Sequence, residues 1–174
     1  TSNGGNSWNY ISSGVHVDQH EIYIHPQNHN KLFLGNDGGF YTSSNGGNSW
    51  VWKNNLPITQ FYTCEIDNQS PDRLYGGTQD NGTNRTMTGA LDDWAPIYWG
   101  DGFYVLVDPE NNNYVYAESQ YGNLARSTNG GSSFNSAMNG ISSSDRMNWN
   151  TPVVFDPTNS EILYYGANKI YKST

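Results

Sequence analysis

The stretch Thr1-Ser2-Asn3-Gly4-Gly5-Asn6-Ser7-Trp8 returns as Ser43-Ser44-Asn45-Gly46-Gly47-Asn48-Ser49-Trp50 and again as Ser127-Thr128-Asn129-Gly130-Gly131-Ser132-Ser133-Phe134. The starts lie 42 and then 84 residues apart, so one copy between the second and third has degenerated. Ser173-Thr174 repeats the first two positions once more. A period of roughly 40 to 50 residues carried by a Gly-rich turn demands a repeat architecture built of one small supersecondary unit.

At 174 residues the chain holds about four such units. Aromatic and charged residues are each 14% of the chain, beside 19 glycines, a turn-dense and β-rich balance. A net charge of −8 repels polyanions, so nucleic acid and membrane insertion are not expected. Cys64 has no internal disulfide partner and its strand position predicts a small buried residue. No apolar run is long enough to span a bilayer. The chain begins without Met and inside a repeat, so the absence of a targeting segment carries no information.

Four strands are expected per unit. The first covers His16 to Ile24, Ile58 to Ile66, Trp99 to Val107 and Met147 to Phe155, and it stops at His25-Pro26, Asp108-Pro109 or Asp156-Pro157, where Pro removes a donor. The second is Leu32-Phe33-Leu34-Gly35, Leu74-Tyr75-Gly76-Gly77, Val115-Tyr116-Ala117 and Leu163-Tyr164-Tyr165-Gly166. The third is Gly39 to Thr42, Asn123 to Arg126 and Lys169 to Lys172; the octapeptide turn follows, and its Trp or Phe starts the fourth. The degenerate copy is Asp92-Asp93-Trp94, which keeps the aromatic and has lost the Gly-Gly pair. Four short antiparallel strands at this period describe a β-propeller blade, an all-β class; a β-sandwich would need no repeat. The expected organisation is residues 1–11 as the fourth strand of a preceding or closing blade, blades at 12–57, 58–98 and 99–142, and an incomplete blade at 143–174.

The octapeptide resembles the Asp-box of sialidases, sortilin-type receptors and several glycoside hydrolases, with Asn3, Asn45 and Asn129 at the Asp position. Physically the box is a staple: the Asn side chain accepts backbone N–H groups, Gly5, Gly47 and Gly131 sit where positive φ is needed, and Trp8, Trp50 and Phe134 pack between blades.

If the boxes occupy one rim, the opposite rim is built from the starts of the first strands and the turns between strands two and three. Aligned first strands give the columns His16, Ile58, Trp99, Met147; Asp18, Gln60, Asp101, Trp149; and His20, Tyr62, Phe103, Thr151, which strand alternation places on one side. The turns add Asp37, Gln79, Asp80 and Tyr121. Such a mixture of carboxylates, amides and aromatic faces suits a neutral sugar, which stacks on rings and bonds through its hydroxyls. His16, Asp18, His20, Gln60, Gln79, Trp99, Tyr121 and Trp149 are therefore the candidate ligand-binding residues. The run His16-x-Asp18-x-His20 is metal-capable in type, yet residues two apart on a strand are stacked rather than convergent, so no metal or cofactor is expected.

The segment from His25-Pro26 through Asn36-Asp37-Gly38-Gly39-Phe40-Tyr41 resembles the start of the xyloglucan-cleaving glycoside hydrolases. That resemblance implies a catalytic carboxylate at Asp37. The family takes its second carboxylate from a second propeller, for which Asp80 or Asp101 could substitute at the separation that hydrolysis requires. A sialidase needs an arginine triad, whereas only Arg146 among the four arginines falls near the candidate rim.

These readings lead to an extracellular propeller segment, secreted or at the cell surface, that binds a glycan or protein non-covalently. The alternatives are a xyloglucanase-like glycoside hydrolase using Asp37 and a structural part of an extracellular assembly, since isolated blades expose strand edges. The expected partners are a neutral polysaccharide or protein ligand, and the rest of a parent propeller or another copy of the chain.

Overall fold

A computed structural model describes residues 1–173; Thr174, expected to continue the last box, lies outside them. The chain is all-β, and its antiparallel sheets are propeller blades, as the period predicts. It divides into two compact units, residues 1–58 and 59–174.

The first unit holds one meander: β1 (Gln19–Ile24), β2 (Leu32–Asn36), β3 (Gly39–Ser43) and β4 (Val51–Trp52). Leu32, Leu34 and Asn36 alternate into the buried face of β2 and Tyr41 and Ser43 into that of β3, with Leu34 opposite Tyr41. Residues 7–11, expected as a fourth strand, form no ladder. Instead the Ile11 carbonyl accepts the Trp50 indole N–H at 2.6 Å, and the Ile11 side chain lies against Gly47, where an added Cβ would meet it at 2.7 Å.

In the second unit one sheet is β5 (Thr63–Ile66), β6 (Leu74–Thr78), β7 (Gly82–Thr86) and β8 (Ala95–Tyr98). The next is β9 (Val105–Val107), β10 (Val115–Ser119), β11 (Asn123–Ser127) and β12 (Asn135–Ser136), and the last is β13 (Val153–Asp156), β14 (Asn159–Gly166) and β15 (Ile170–Lys172). Tyr75, Val105, Val107 and Val115, with Ile97 and Phe134, form the core between the first two of these sheets. Leu124, Val153, Leu163 and Tyr165 anchor the core between the second and third. Among the described residues no helix is long and apolar enough to cross a membrane.

The first strands begin later than expected, at Gln19, Thr63, Val105 and Val153. Asp18 (φ 58°) and Gly100 (φ 99°) leave the extended region, and before β13 the Thr151 amide bonds a side chain while Pro152 has no N–H to give. The columns drawn through these segments are thus not ordered by strand alternation. Cys64 is exposed rather than buried, because it shares with Ile66 the open face of β5.

The boxes are staples of the kind expected, with a second acceptor. In each, the Asn Oδ1 accepts the amide four residues on, at Ser7, Ser49 or Ser133, with its glycines at φ between 67° and 91°. The first residue's hydroxyl oxygen also accepts two amides: Ser43 from Asn45 and Gly47, Ser127 from Asn129 and Gly131. Phe134 packs on Tyr98 at 5.1 Å between sheets, whereas Trp8 is exposed. On the same rim, the turn between first and second strands is capped by an aspartate in two sheets: Asp67 accepts the amides of Gln69 and Ser70, and Asp108 those of Glu110 and Asn111.

Candidate functional site

The candidate residues fall in both units. In the second, the lead-in to β9 runs between two turns and is held by both. The Asp80 amide donates to Asp101 Oδ1 at 3.0 Å, the Asp101 amide donates to Gln120 Oε1 at 2.9 Å, and the Gly102 amide donates to the Thr78 carbonyl at 2.9 Å. The approach is close enough that a Cβ on Gly77 would stand 2.1 Å from the Phe103 carbonyl oxygen. Asp101 thus works as a clip between turns.

Aromatic rings cluster beside this clip. Tyr62, Phe103 and Trp149 meet pairwise edge to face, with centroids 5.3, 5.9 and 4.5 Å apart. The Tyr62 hydroxyl donates to Gln79 Oε1 at 2.6 Å, and the Tyr121 amide donates to the Trp149 carbonyl at 2.9 Å. Trp99 is 74% exposed and Tyr121 65%, so two large rings face solvent next to the amide and carboxylate groups of the turns. Gln60 is exposed.

Sequence reasoning singled out neither Gln120 nor Glu118, although both act here. Glu118 is fully buried on β10; its Oε1 accepts the Thr151 amide at 2.7 Å, and its Oε2 has no hydrogen-bond partner. Burial pushes its carboxyl up to about 7, against the opposing pull of the Thr151 and Tyr104 amides. Burial also raises the Tyr165 phenol, to which the nearby Glu118 charge adds. The Tyr165 hydroxyl donates to the Gly122 carbonyl at 2.7 Å. The signal for Glu118 was available, since the aligned second strands carry Gly35, Gly77 and Gly166 at its position.

In the first unit Asp37 lies in the two-residue turn between β2 and β3. His20 Nε2 pairs with its Oδ1, and a carboxylate oxygen of Asp18 comes within 4.8 Å of one of Asp37. Asn36 holds the turn: it donates to the His16 carbonyl and to Gln19 Oε1 and accepts the Gly38 amide. His16 lies over Gly38, where an added Cβ would come within 2.4 Å of it, so it is a packing residue in this unit. His16, Asp18 and His20 do not converge on one point as a ligand set.

Asp18 (φ 58°), Asp80 (φ 64°) and Tyr121 (φ 62°) are the non-glycine residues at positive φ among those described, and all three are candidates named from sequence. Conformations of this kind cost of order 1 kcal/mol or more each and persist where the surroundings fix them, which makes these turns built rather than incidental.

No family model and no curated protein matches the chain. Among solved structures it is similar to an ancestral GH74 enzyme, with 24% identity and a TM-score of 0.55 over 95% of this chain and 24% of that one. It is similar to a GH74 enzyme of Niastella koreensis, at 18% identity and a TM-score of 0.50 over 99% of this chain and 32% of that one. It is also similar to the GH74 xyloglucanase of Xanthomonas campestris, at 17% identity and a TM-score of 0.51 over 87% of this chain and 23% of that one. The chain spans about a quarter to a third of the length of these structures. The likeness is one of fold, a β-propeller resembling those of xyloglucanase-like enzymes.

Proposed function

We propose that this chain is an extracellular propeller segment that binds a neutral polysaccharide non-covalently along the clipped turns of its second unit. The observation that carries the reading is the pairing of exposed rings with fixed polar groups: Trp99 and Tyr121 face solvent beside Gln79, Asp80, Asp101 and Gln120, on a backbone already ordered by hydrogen bonds. A sugar ring stacks its C–H face on such aromatics, and its hydroxyls meet acceptors and donors that lose little freedom on binding. The net charge of −8 favours an uncharged glycan over an acidic one. The fold likeness to a xyloglucanase makes β-glucans with neutral substituents the first class to try. Affinity electrophoresis of the 174-residue chain in gels cast with xyloglucan or polygalacturonate is the test. Retardation by xyloglucan alone supports the reading, and equal mobility in both gels contradicts it.

A second reading, glycoside hydrolysis, is favoured by one specific observation in the first unit. Asp37 and Asp18 bring carboxylate oxygens within 4.8 Å of each other, and retaining hydrolysis uses carboxyl groups about 5 to 5.5 Å apart. In that reading Asp37 attacks or stabilises the anomeric carbon, His20 orients it, and Asp18 carries the proton for the leaving oxygen. Asp101 is less suited to chemistry, being engaged by the Asp80 amide. Release of reducing ends from xyloglucan that Asp37→Ala abolishes would support this reading.

A further inference from the structure

One position of the second strand is Gly35, Gly77 or Gly166 in three sheets and Glu118 in the fourth. At Gly77 the next lead-in presses so close that no side chain fits: a Cβ would meet the backbone of Gly102 and Phe103. At Glu118 the corresponding segment, Asn148 to Thr151, is held off by a carboxyl group. That carboxyl accepts the Thr151 amide through Oε1 and leaves Oε2 buried with no partner. A repeat that could have used glycine has an ionisable group in a dry place, directly behind the segment that carries Trp149.

We propose that Glu118 is a positioning residue for the polysaccharide-binding rim, a proton-operated latch whose neutral form holds the Asn148–Thr151 segment and whose ionised form loosens it. As a neutral acid Glu118 keeps the Thr151 amide bond and needs no counter-charge. Ionised, it places charge on Oε2, which accepts no hydrogen bond and which the Tyr104 amide favours too weakly to offset burial, and relief comes from admitting water at the segment whose amide it holds. Trp149 then leaves its edge-to-face contacts with Phe103 and Tyr62, and its carbonyl drops the Tyr121 amide.

No neighbour supplies the missing positive charge. From β14 the facing titratable group is the Tyr165 phenol, and from the lead-in to β9 the backbone amide of Tyr104 faces the carboxyl, which favours the ionised form without supplying a charge. The turn Gln120–Gly122 and the segment Asn148–Thr151 contain no charged residue. On β11, Arg126 pairs with Tyr116 further along the strand and its side chain is exposed.

Amide and indole N–H resonances of the 174-residue chain, followed from pH 5 to 9, test the latch without any variant. The Thr151 amide and the Trp149 indole signals should titrate together with a midpoint near the value of about 7 that burial gives Glu118, and in Glu118→Gln both should be flat. Signals that stay flat in the natural sequence, or that titrate unchanged in Glu118→Gln, overturn the proposal. The effect on binding rests on the polysaccharide reading above. Affinity for soluble xyloglucan should fall several-fold from pH 5.5 to 8.5, and in Glu118→Gln it should not change. If xyloglucan fails to bind at any pH the rim reading falls, while the Thr151 and Trp149 signals still decide the latch. If they titrate and affinity does not follow, Glu118 positions the segment without serving the rim and the proposal fails.

Discussion

The Thr86 hydroxyl donates to the Asp93 carboxylate at the one turn where the repeat has lost its Gly-Gly pair. Thr86 also accepts the amides of Thr88 and Gly89, as Ser43 and Ser127 do in the intact boxes. Asp93 accepts the Met87 and Thr88 amides from the far side of the loop, replacing the local Asn. The staple has been rebuilt from other residues.

Asp93→Ala should lower the melting temperature measurably more than Asp92→Ala, whose residue is exposed and adjacent. The hydrogen bonds from Thr86 and Thr88 hold the Asp93 carboxyl below the ordinary carboxylate range. A lowered folded value contributes stability that is present at neutral pH and lost as pH falls through it. The gap between the two variants should therefore narrow below about pH 4. Thermal melts across that range check both points.

Ser127→Ala removes an acceptor used by two amides at a fully buried hydroxyl. The expected loss is about 1 to 3 kcal/mol in urea unfolding. Gly131→Ala should cost a similar amount, because its φ is 84° and the new methyl would meet Arg85 Nη1 at 3.1 Å.

Gly77→Ala and Gly35→Ala are the same change at the same position of the repeat, with opposite expectations. At Gly77 the methyl collides with the Phe103 backbone at 2.1 Å, so the variant should be strongly destabilised; at Gly35 no atom lies within 4 Å, and stability should change little. Comparable losses at the two positions, measured by denaturant unfolding, would count against the close packing of the lead-in.

Glu118 sets a pH dependence of the opposite sign from Asp93. Its folded value, about 7, is raised above the ordinary 4.5, so the folded state binds more protons between the two and stability falls as pH rises through that window. The full effect is roughly 3 kcal/mol. Glu65, raised by burial, adds a contribution of the same sign. Glu118→Gln should remove most of the slope and be more stable than the natural sequence at pH 8.

Much of this fold was legible because the box turns, second strands and third strands are set by contacts a few residues apart. Asn45 with Ser49 and Leu34 with Tyr41 are local pairs, and local pairs leave a pattern in sequence. The lead-ins were not legible in the same way. Asp101, Phe103 and Thr151 are positioned by Gln120, Gly77 and Glu118, residues 19 to 33 positions away, and nothing in their own segments says that the strand has not yet begun. Reading them as pleated strand ordered their side chains by an alternation that the late strand starts do not provide. Glu118 is legible only as the exception in an aligned column of glycines, because its role depends on a segment 33 residues further along the chain. Cys64 failed for a related cause: strand membership fixes the alternation but not which face is covered.

In the proposed function, exposed rings on clipped turns bind a neutral polysaccharide. Isothermal titration of the 174-residue chain with soluble xyloglucan, compared with Trp99→Ala and Tyr121→Ala, tests it most directly. Both rings are exposed, so their removal should leave the fold intact while weakening binding about tenfold or more each, on the scale of roughly 1.4 kcal/mol per tenfold. Binding that both variants retain at full strength, or no heat from the natural sequence, would rule out the proposed rim.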